Sequence, residues 1–218
     1  AGTEKQSLQY EYLSTGNLLD DAASRVTQVK AGATTVAVYK YLGAGQLVSQ
    51  QLAEAGVTNS RYGSGTANYD RLDRFNRIVK DRWTKDGGGD LYSTDITFDE
   101  SGNITRQVDN LHRNYGGASN PGVFDASYSI DSRNRLTRTQ EGHWNGSSIS
   151  TLWRDQQWTL SQTGNWARDK EDWNGDGDFT DTGEVDDTRA HNVANELLTR
   201  DTDSNSSVNY TLTHDAVG

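Results

Sequence analysis

The sequence predicts an all-β fold built from repeated antiparallel hairpins, and three observations support this prediction. A turn pattern recurs about eight times through the 218 residues. Apolar and polar residues alternate next to the turns, as expected for strands with one buried face. The chain contains a single proline, so little in it would interrupt strand pairing. We therefore expect successive hairpins to join into an extended sheet.

Each copy of the turn pattern has two alternating apolar residues, then three or four residues, then Gly or Asn, a polar residue and an apolar one. The Gly or Asn positions are Gly16, Gly45, Asn76, Gly102, Asn134, Gly164, Asn195 and Gly218, and they lie 23 to 32 residues apart. Gly and Asn tolerate the positive φ that a tight strand-to-strand turn requires. Where Asp follows the last apolar residue, as at Asp99 and Asp131, it can accept hydrogen bonds from turn amides.

The strands themselves show a period of two. Tyr92, Thr94, Ile96 and Phe98 fall on one face of a predicted strand, and the intervening residues are polar. Residues 208–214 alternate in the same way. Helical periodicity is an alternative for residues 22–30 and 46–55, and strands remain the favoured prediction there.

Composition excludes several classes of protein. Only 32% of the residues are apolar, but 6 Trp, 10 Tyr and 4 Phe supply large buried areas and argue against disorder. No apolar run approaches the roughly 18 residues of a membrane span. The absence of Cys excludes disulfides, Cys-based zinc sites and a thiol nucleophile. A net charge of −10 argues against binding to nucleic acid.

The repeat, best seen in Ile96-Thr-Phe98-Asp99 followed by Gly102-Asn103-Ile104, resembles the tyrosine-aspartate (YD) repeat of bacterial RHS proteins and teneurins. The literal Tyr-Asp pair occurs at Tyr69-Asp70. This resemblance implies a β-sheet that spirals into a hollow shell, in a secreted or cell-surface parent protein. Such a shell encloses a C-terminal toxin or presents an adhesive surface. Nothing here matches the family's self-cleaving segment, so a wall segment without that chemistry is expected.

The whole chain, residues 1–218, is predicted to be one YD-repeat region, truncated at both ends, with an acidic insertion at residues 171–187. Its expected partners are the rest of a larger parent chain or further copies that associate through β-edges. A glycan is a third candidate partner. No catalytic residues are predicted, because the four His lie in different repeats and no nucleophile or phosphate-binding motif is present.

The acidic insertion carries the sharpest local motif. Asp172, Asn174 and Asp176 stand at positions 1, 3 and 5, with Gly177 at position 6, as in loops that curl around calcium. The Glu that closes an EF-hand loop stands at position 12, whereas Glu184 is at position 13. The predicted calcium ligands are Asp172, Asn174, Asp176, Asp178 and Glu184, with Asp181 as a substitute for Glu184. The alternative is an acidic turn without metal, held by Asx-turns.

Five of the six Trp fall between Trp144 and Trp173, which suggests a surface for carbohydrate. The CH groups of a sugar can pack on an indole ring, and polar neighbours can bind its hydroxyls. Trp153, Trp158 and Gln157 are the predicted carbohydrate-binding residues. The alternative is that these Trp pack between neighbouring strands of the sheet.

The leading functional hypothesis is a non-enzymatic structural segment of an RHS-type β-shell. The first alternative is a calcium-braced extracellular module that binds carbohydrate or a cell-surface partner. The second alternative is a self-assembling extracellular fibre, which the open edges of a β-sheet would permit.

Overall fold

The computed structural model describes residues 7–12, 24–43, 45–62, 68–111, 125–203 and 205–215, and these form fifteen β-strands. The described residues contain no helix, so the predicted all-β class is confirmed. The strands are β1 Leu8–Glu11, β2 Gln28–Ala31, β3 Thr34–Leu42, β4 Gln46–Leu52, β5 Val57–Ser60, β6 Lys80–Lys85, β7 Asp90–Phe98, β8 Ile104–Asp109, β9 Asp125–Ile130, β10 Leu136–Trp144, β11 Ile149–Leu160, β12 Trp166–Asp172, β13 Val185–His191, β14 Leu197–Asp201 and β15 Tyr210–Thr211.

Strand order in the antiparallel sheet follows chain order from β1 to β15. Residues 46–52 are strand β4, and the described part of residues 22–30 ends in β2, so the described residues of both stretches contain no helix. Contacts divide the chain into two compact units, residues 1–95 and 96–218. No helical segment suited to crossing a membrane occurs in the parts of the chain that the structure describes.

Five of the predicted turns share one hydrogen-bond geometry. In each, the first residue donates its N–H to the carbonyl of the fifth, and the fourth donates back to the carbonyl of the first, over 2.9–3.2 Å. The turns are residues 73–77, 99–103, 131–135, 161–165 and 192–196. Their fourth residues, Asn76, Gly102, Asn134, Gly164 and Asn195, all have φ between 60° and 95°. The prediction of Gly and Asn as turn residues is therefore confirmed at these positions.

The predicted role of Asp in the turns is also confirmed. Asp131 Oδ1 accepts the backbone N–H groups of Arg133 and Arg135 at 2.9 and 3.0 Å. Asp131 Oδ2 accepts Arg135 Nε at 2.8 Å, and this hydrogen bond lowers the pKa of Asp131 to about 2. The side chain of Asn103 likewise lowers the pKa of Asp99 by donating to it at 2.8 Å.

In the second unit, neighbouring turns bond to one another, and we call residues 99–103, 131–135, 161–165 and 192–196 the turn stack. Asn103 Nδ2 donates to Asn134 Oδ1 at 2.9 Å. Arg135 Nη1 donates to the carbonyl of Ser161 at 2.7 Å. Asn165 Nδ2 then donates to Asn195 Oδ1 at 2.9 Å. Each turn of the stack therefore stabilises the next.

The interior contains few apolar side chains. The buried apolar residues of the described chain are Ala37, Val48, Val108 and Ala126. Four of the five largest fully buried side chains are instead aspartates, namely Asp125, Asp155, Asp172 and Asp187. Burying a carboxylate is unfavourable unless hydrogen bonds or cations compensate for it. Thinly spread apolar content thus accompanies a sheet held by backbone pairing and polar networks.

The first unit follows the same principle on a smaller scale. Buried Asn59 on β5 donates to Asp81 on β6 at 2.7 Å. Arg61 forms an ion pair with the same Asp81 carboxylate at 2.6 Å. A polar contact between neighbouring strands therefore takes the place of an apolar one.

Candidate metal centre

The acidic loop, residues 172–184, connects β12 to β13 in the second unit. It begins at Asp172, the last residue of β12, and ends at Glu184, directly before Val185. Gly175, Gly177 and Gly183 adopt φ values of 75°, 93° and 97°, which L side chains rarely adopt. These glycines allow the chain to turn back on itself within a few residues.

Asp172 organises the first half of the loop from a fully buried position. Its Oδ1 accepts the N–H groups of Asn174 and Gly175 at 3.1 and 2.5 Å. Its Oδ2 accepts the N–H of Gly177 at 2.9 Å. Three backbone donors therefore compensate for the burial of one carboxylate.

The next alternate side chains of the loop make the same kind of contact, in which a side-chain oxygen accepts the N–H of the residue two positions ahead. Asn174 Oδ1 accepts the N–H of Asp176 at 2.9 Å, and Asp176 Oδ1 accepts that of Asp178 at 3.0 Å. Asp178 Oδ1 accepts the N–H of Thr180 at 2.9 Å. This succession of Asx-turns gives the loop its curl.

Glu184 closes the loop from its far end. Its Oε1 accepts the N–H of Trp173 at 3.2 Å, and its Oε2 accepts that of Asp181 at 3.1 Å. Carboxylate oxygens of Asp172, Asp176 and Glu184 lie within 4.8 Å of one another. This acidic cluster could hold a metal ion.

The structure brings together three of the five predicted calcium ligands. Asp178 does not belong to the cluster, and its Oδ1 accepts the Thr180 hydroxyl at 3.0 Å. Asn174 lies beside the cluster, where its Nδ2 donates to Asp181 at 2.7 Å. Asp181, the predicted substitute for Glu184, therefore contacts Asn174, and Glu184 itself completes the cluster.

A close approach to β11 fixes the position of the loop. A Cβ atom on Gly175 would lie 2.2 Å from the carbonyl oxygen of Leu152, so only glycine fits there. Leu152 sits beside a β-bulge, since Glu141 pairs with Arg154 while the next residue, Gly142, pairs with Leu152. The loop also packs through its aromatic side chains, with Arg154 3.8 Å from the centre of the Trp173 ring.

A second loop of the same construction follows β14, and sequence reasoning missed it. Asp201 accepts the N–H groups of Asp203 and Ser206 at 3.4 and 3.0 Å, as Asp172 does with Asn174 and Gly177. Asn205 accepts the N–H of Ser207 at 2.8 Å, and Ser206 has a φ of 71°. The alternation of Asp201, Asp203 and Asn205 was the available signal. At the positions equivalent to Asp172, Asn174 and Asp176, this second loop has two carboxylates, those of Asp201 and Asp203. The acidic loop also has two there, and Glu184 adds a third.

The predicted carbohydrate-binding residues do not share one surface. Gln157 and Trp158 are consecutive in a regular part of β11, paired with Lys170 and Asp169, so their side chains lie on opposite faces. Gln157 Nε2 donates to Asp155 at 3.0 Å, whereas the Trp158 ring lies 6.2 Å from that of Trp166. Trp153, at the bulge, is 49% exposed.

No protein-family model and no curated protein matches this chain.

Proposed function

We propose that this chain is a non-enzymatic structural segment of an extracellular β-shell of the RHS/YD-repeat type. The observation that carries the proposal is the turn stack, in which each turn bonds to the next through residues 26 to 31 positions apart in sequence. Such contacts make stability a sum of nearest-neighbour terms, as in other repeat proteins. An architecture of this kind extends by adding hairpins, which suits the wall of a large enclosure.

The resemblance supplies the biological part of this proposal. A shell wall would enclose a C-terminal toxin or present an adhesive surface outside the cell. Electron microscopy of the protein isolated from its natural source tests this directly. Hollow particles would support the proposal. Fibres would support self-assembly through open β-edges instead, and compact particles without a lumen would contradict both.

The acidic cluster supports a second function, a calcium brace. Calcium takes six to eight oxygen ligands at about 2.3–2.6 Å. Asp172, Asp176 and Glu184 contribute carboxylate oxygens, and backbone carbonyls and water would supply the remainder. A bound ion would fix the acidic loop against β11 and offset the mutual repulsion of its carboxylates. We therefore expect calcium to stabilise the fold without any catalytic role.

Calorimetric titration of the EDTA-treated protein with calcium chloride tests this brace. Extracellular calcium modules bind with Kd values of about 10⁻⁴–10⁻³ M. At a tenfold excess over Kd, calcium would stabilise the fold by about 1.4 kcal/mol. Asp176→Asn should abolish the heat of binding, whereas the matched variant Asp178→Asn, in the same loop but outside the cluster, should retain it. Equal loss in both variants, or no heat in the parent protein, would refute the brace.

Two exposed aromatic residues favour a binding role for the braced loop. Trp173, the residue after Asp172, is 48% exposed, and Trp153 is 49% exposed. A glycan array measured with calcium and with EDTA tests this module. Glycan binding that disappears in Trp153→Ala would support this binding role, and an array without binding under both conditions would contradict it.

A further inference from the structure

Two buried aspartates face each other on neighbouring strands of the second unit. Asp169 of β12 and Asp187 of β13 are direct partners in the strand register, so their side chains project from the same face. Asp169 is 6% exposed and Asp187 is fully buried. Neither belongs to the acidic cluster, and neither was singled out by sequence reasoning.

The two carboxyl groups have unequal access to positive charge. Asp187 Oδ2 accepts Arg189 Nε at 2.8 Å, Arg189 Nη2 at 2.6 Å and Arg200 Nε at 2.8 Å. The nearest cation to Asp169 is the same Arg189 Nη2, at 3.8 Å from its Oδ2. Both guanidinium groups are therefore directed at Asp187, and Asp169 has only a share in one of them.

The second oxygen of each carboxyl group is buried without a hydrogen-bond partner. This holds for Asp169 Oδ1 and for Asp187 Oδ1. An unsatisfied buried acceptor is unfavourable, so two such acceptors on cross-strand partners are costly if both groups are ionised. A single proton would convert one of these acceptors into a donor for the other.

The face of the sheet around Asp169 carries more carboxyl groups than guanidinium groups. On its own strand lies Glu171, on β13 lie Asp187 and Arg189, and on β14 lies Arg200. Directly opposite on β11 is Trp158, which carries no charge but hydrogen-bonds Asp169 through its side chain and so acts to lower the Asp169 pKa. Three carboxyl groups thus meet two guanidinium groups on this face. Neutralising one carboxyl group balances the charge.

We propose that Asp169 and Asp187 share a proton, with Asp169 as the carboxylic acid that donates its hydroxyl to Asp187 Oδ1. Asp187 then carries the negative charge that Arg189 and Arg200 neutralise. The pair forms a proton-binding site inside the sheet, and it couples the β12–β13 pairing to pH.

The direction of the effect follows from the pKa of Asp169. Burial is the largest cause and raises this pKa, Glu171 and Asp187 raise it further, and Arg189 and the Trp158 hydrogen bond lower it by less, so the pKa of Asp169 is raised overall. A raised folded-state pKa means that the folded protein binds more protons than the unfolded chain. The contribution to stability is therefore fully present below the unfolded-state pKa of about 3.9. It is lost as pH rises through the folded-state pKa of Asp169.

Thermal unfolding of the whole chain with Asp169→Asn tests the shared proton. The Asn amide donates to Asp187 Oδ1 at every pH, so it mimics the protonated acid. We subtract the melting temperature of the parent from that of Asp169→Asn. We expect this difference to increase by several degrees between about pH 4 and about pH 8. The control variant Asp155→Asn removes a buried carboxylate that Arg138 holds in a bidentate pair, and it should show no such rise.

A second measurement tests the shared proton in the parent protein, without any variant. The ¹³Cγ resonance of Asp169 in the parent protein should titrate above the ordinary aspartate value of about 3.9. Titration of Asp169 at that ordinary value would overturn the proposal. A constant difference in melting temperature between Asp169→Asn and the parent across the pH range would also overturn it.

Discussion

Asn103 donates a hydrogen bond from its Nδ2 to Oδ1 of Asn134 over 2.9 Å, although 31 residues separate them in sequence. Each belongs to a turn of the same geometry, and Asn103 also donates to Asp99 of its own turn at 2.8 Å. One side chain therefore stabilises its own turn and binds it to the next. This double role gives the polar residue of the repeat a physical function.

The first prediction concerns this contact between turns. Asn103→Ala removes both hydrogen bonds and should destabilise the fold by about 1 kcal/mol, since net values near 1 are typical. Urea unfolding measures the change. Asn134→Gly removes the partner while preserving the positive φ, so a double-mutant cycle isolates the contact. Strictly additive effects in that cycle would show that the turns do not stabilise each other.

The second prediction concerns acid stability. The folded-state pKa of Asp131 is lowered to about 2 by the hydrogen bond from Arg135, against 3.8 ordinarily. A lowered pKa contributes stability that is present above the unfolded-state pKa and lost as pH falls through the folded-state value. The melting temperature of Asp131→Asn should therefore lie below that of the parent at neutral pH, and the gap should narrow toward about pH 2.

Ser161→Ala is the control for this pH dependence. Ser161 occupies the position of Asp131 in the next turn, and its hydroxyl accepts the N–H of Asn165 at 3.1 Å. Because a hydroxyl does not titrate in this range, the effect of Ser161→Ala should not change with pH. A gap of constant size for Asp131→Asn would contradict the assigned role of the carboxylate.

The third prediction compares two glycines of the acidic loop. Gly175→Ala should displace the loop, because the new Cβ would lie 2.2 Å from the backbone oxygen of Leu152. Gly177→Ala meets no atom within 4 Å and should incur only the cost of its positive φ, about 1 kcal/mol. Chemical denaturation of both variants measures whether Gly175→Ala loses more stability than Gly177→Ala. Equal losses would show that the loop does not dock against β11.

The fourth prediction concerns a buried ion pair. Asp155, with a side chain 3% exposed, is held by Arg138 at 2.5 Å, and this hydrogen bond raises the pKa of Arg138. Arg138→Met leaves the buried carboxylate without a cation. Because Arg138 is itself 39% exposed, we expect a loss of about 1–3 kcal/mol, below that of a fully buried pair.

Arg168→Met provides the comparison for Arg138→Met in the same denaturation experiment. Its partner Asp186 is more exposed, at 15%, and keeps Lys170 at 3.7 Å. The loss should therefore remain below about 1 kcal/mol. A larger loss in Arg168→Met than in Arg138→Met would contradict the importance assigned to burial.

The turns were predictable because their requirements are local. A positive φ selects Gly or Asn at one position, and a carboxylate next to the strand caps the turn amides, as at Asn134 and Asp131. The acidic cluster was predictable only in part. Glu184 joins it from position 13 and Asp178 lies outside it. The close approach of Gly175 to Leu152, which positions the loop, depends on tertiary structure.

The Asp169–Asp187 pair could not be predicted from the sequence. Eighteen residues separate the two, and they meet only because β12 and β13 pair in one particular register. A shift of that register by one residue would move one of them to the opposite face. Burial and charge at such a pair therefore depend on the tertiary structure.

We propose that this chain is one stretch of a longer array of bonded turns. The most direct test is the intact mass of the polypeptide isolated from its natural source, with both termini sequenced. We predict a much longer chain that continues the same period of turns on either side. A mature product of only these 218 residues would contradict the shell-wall account and leave the calcium-braced module as the better explanation.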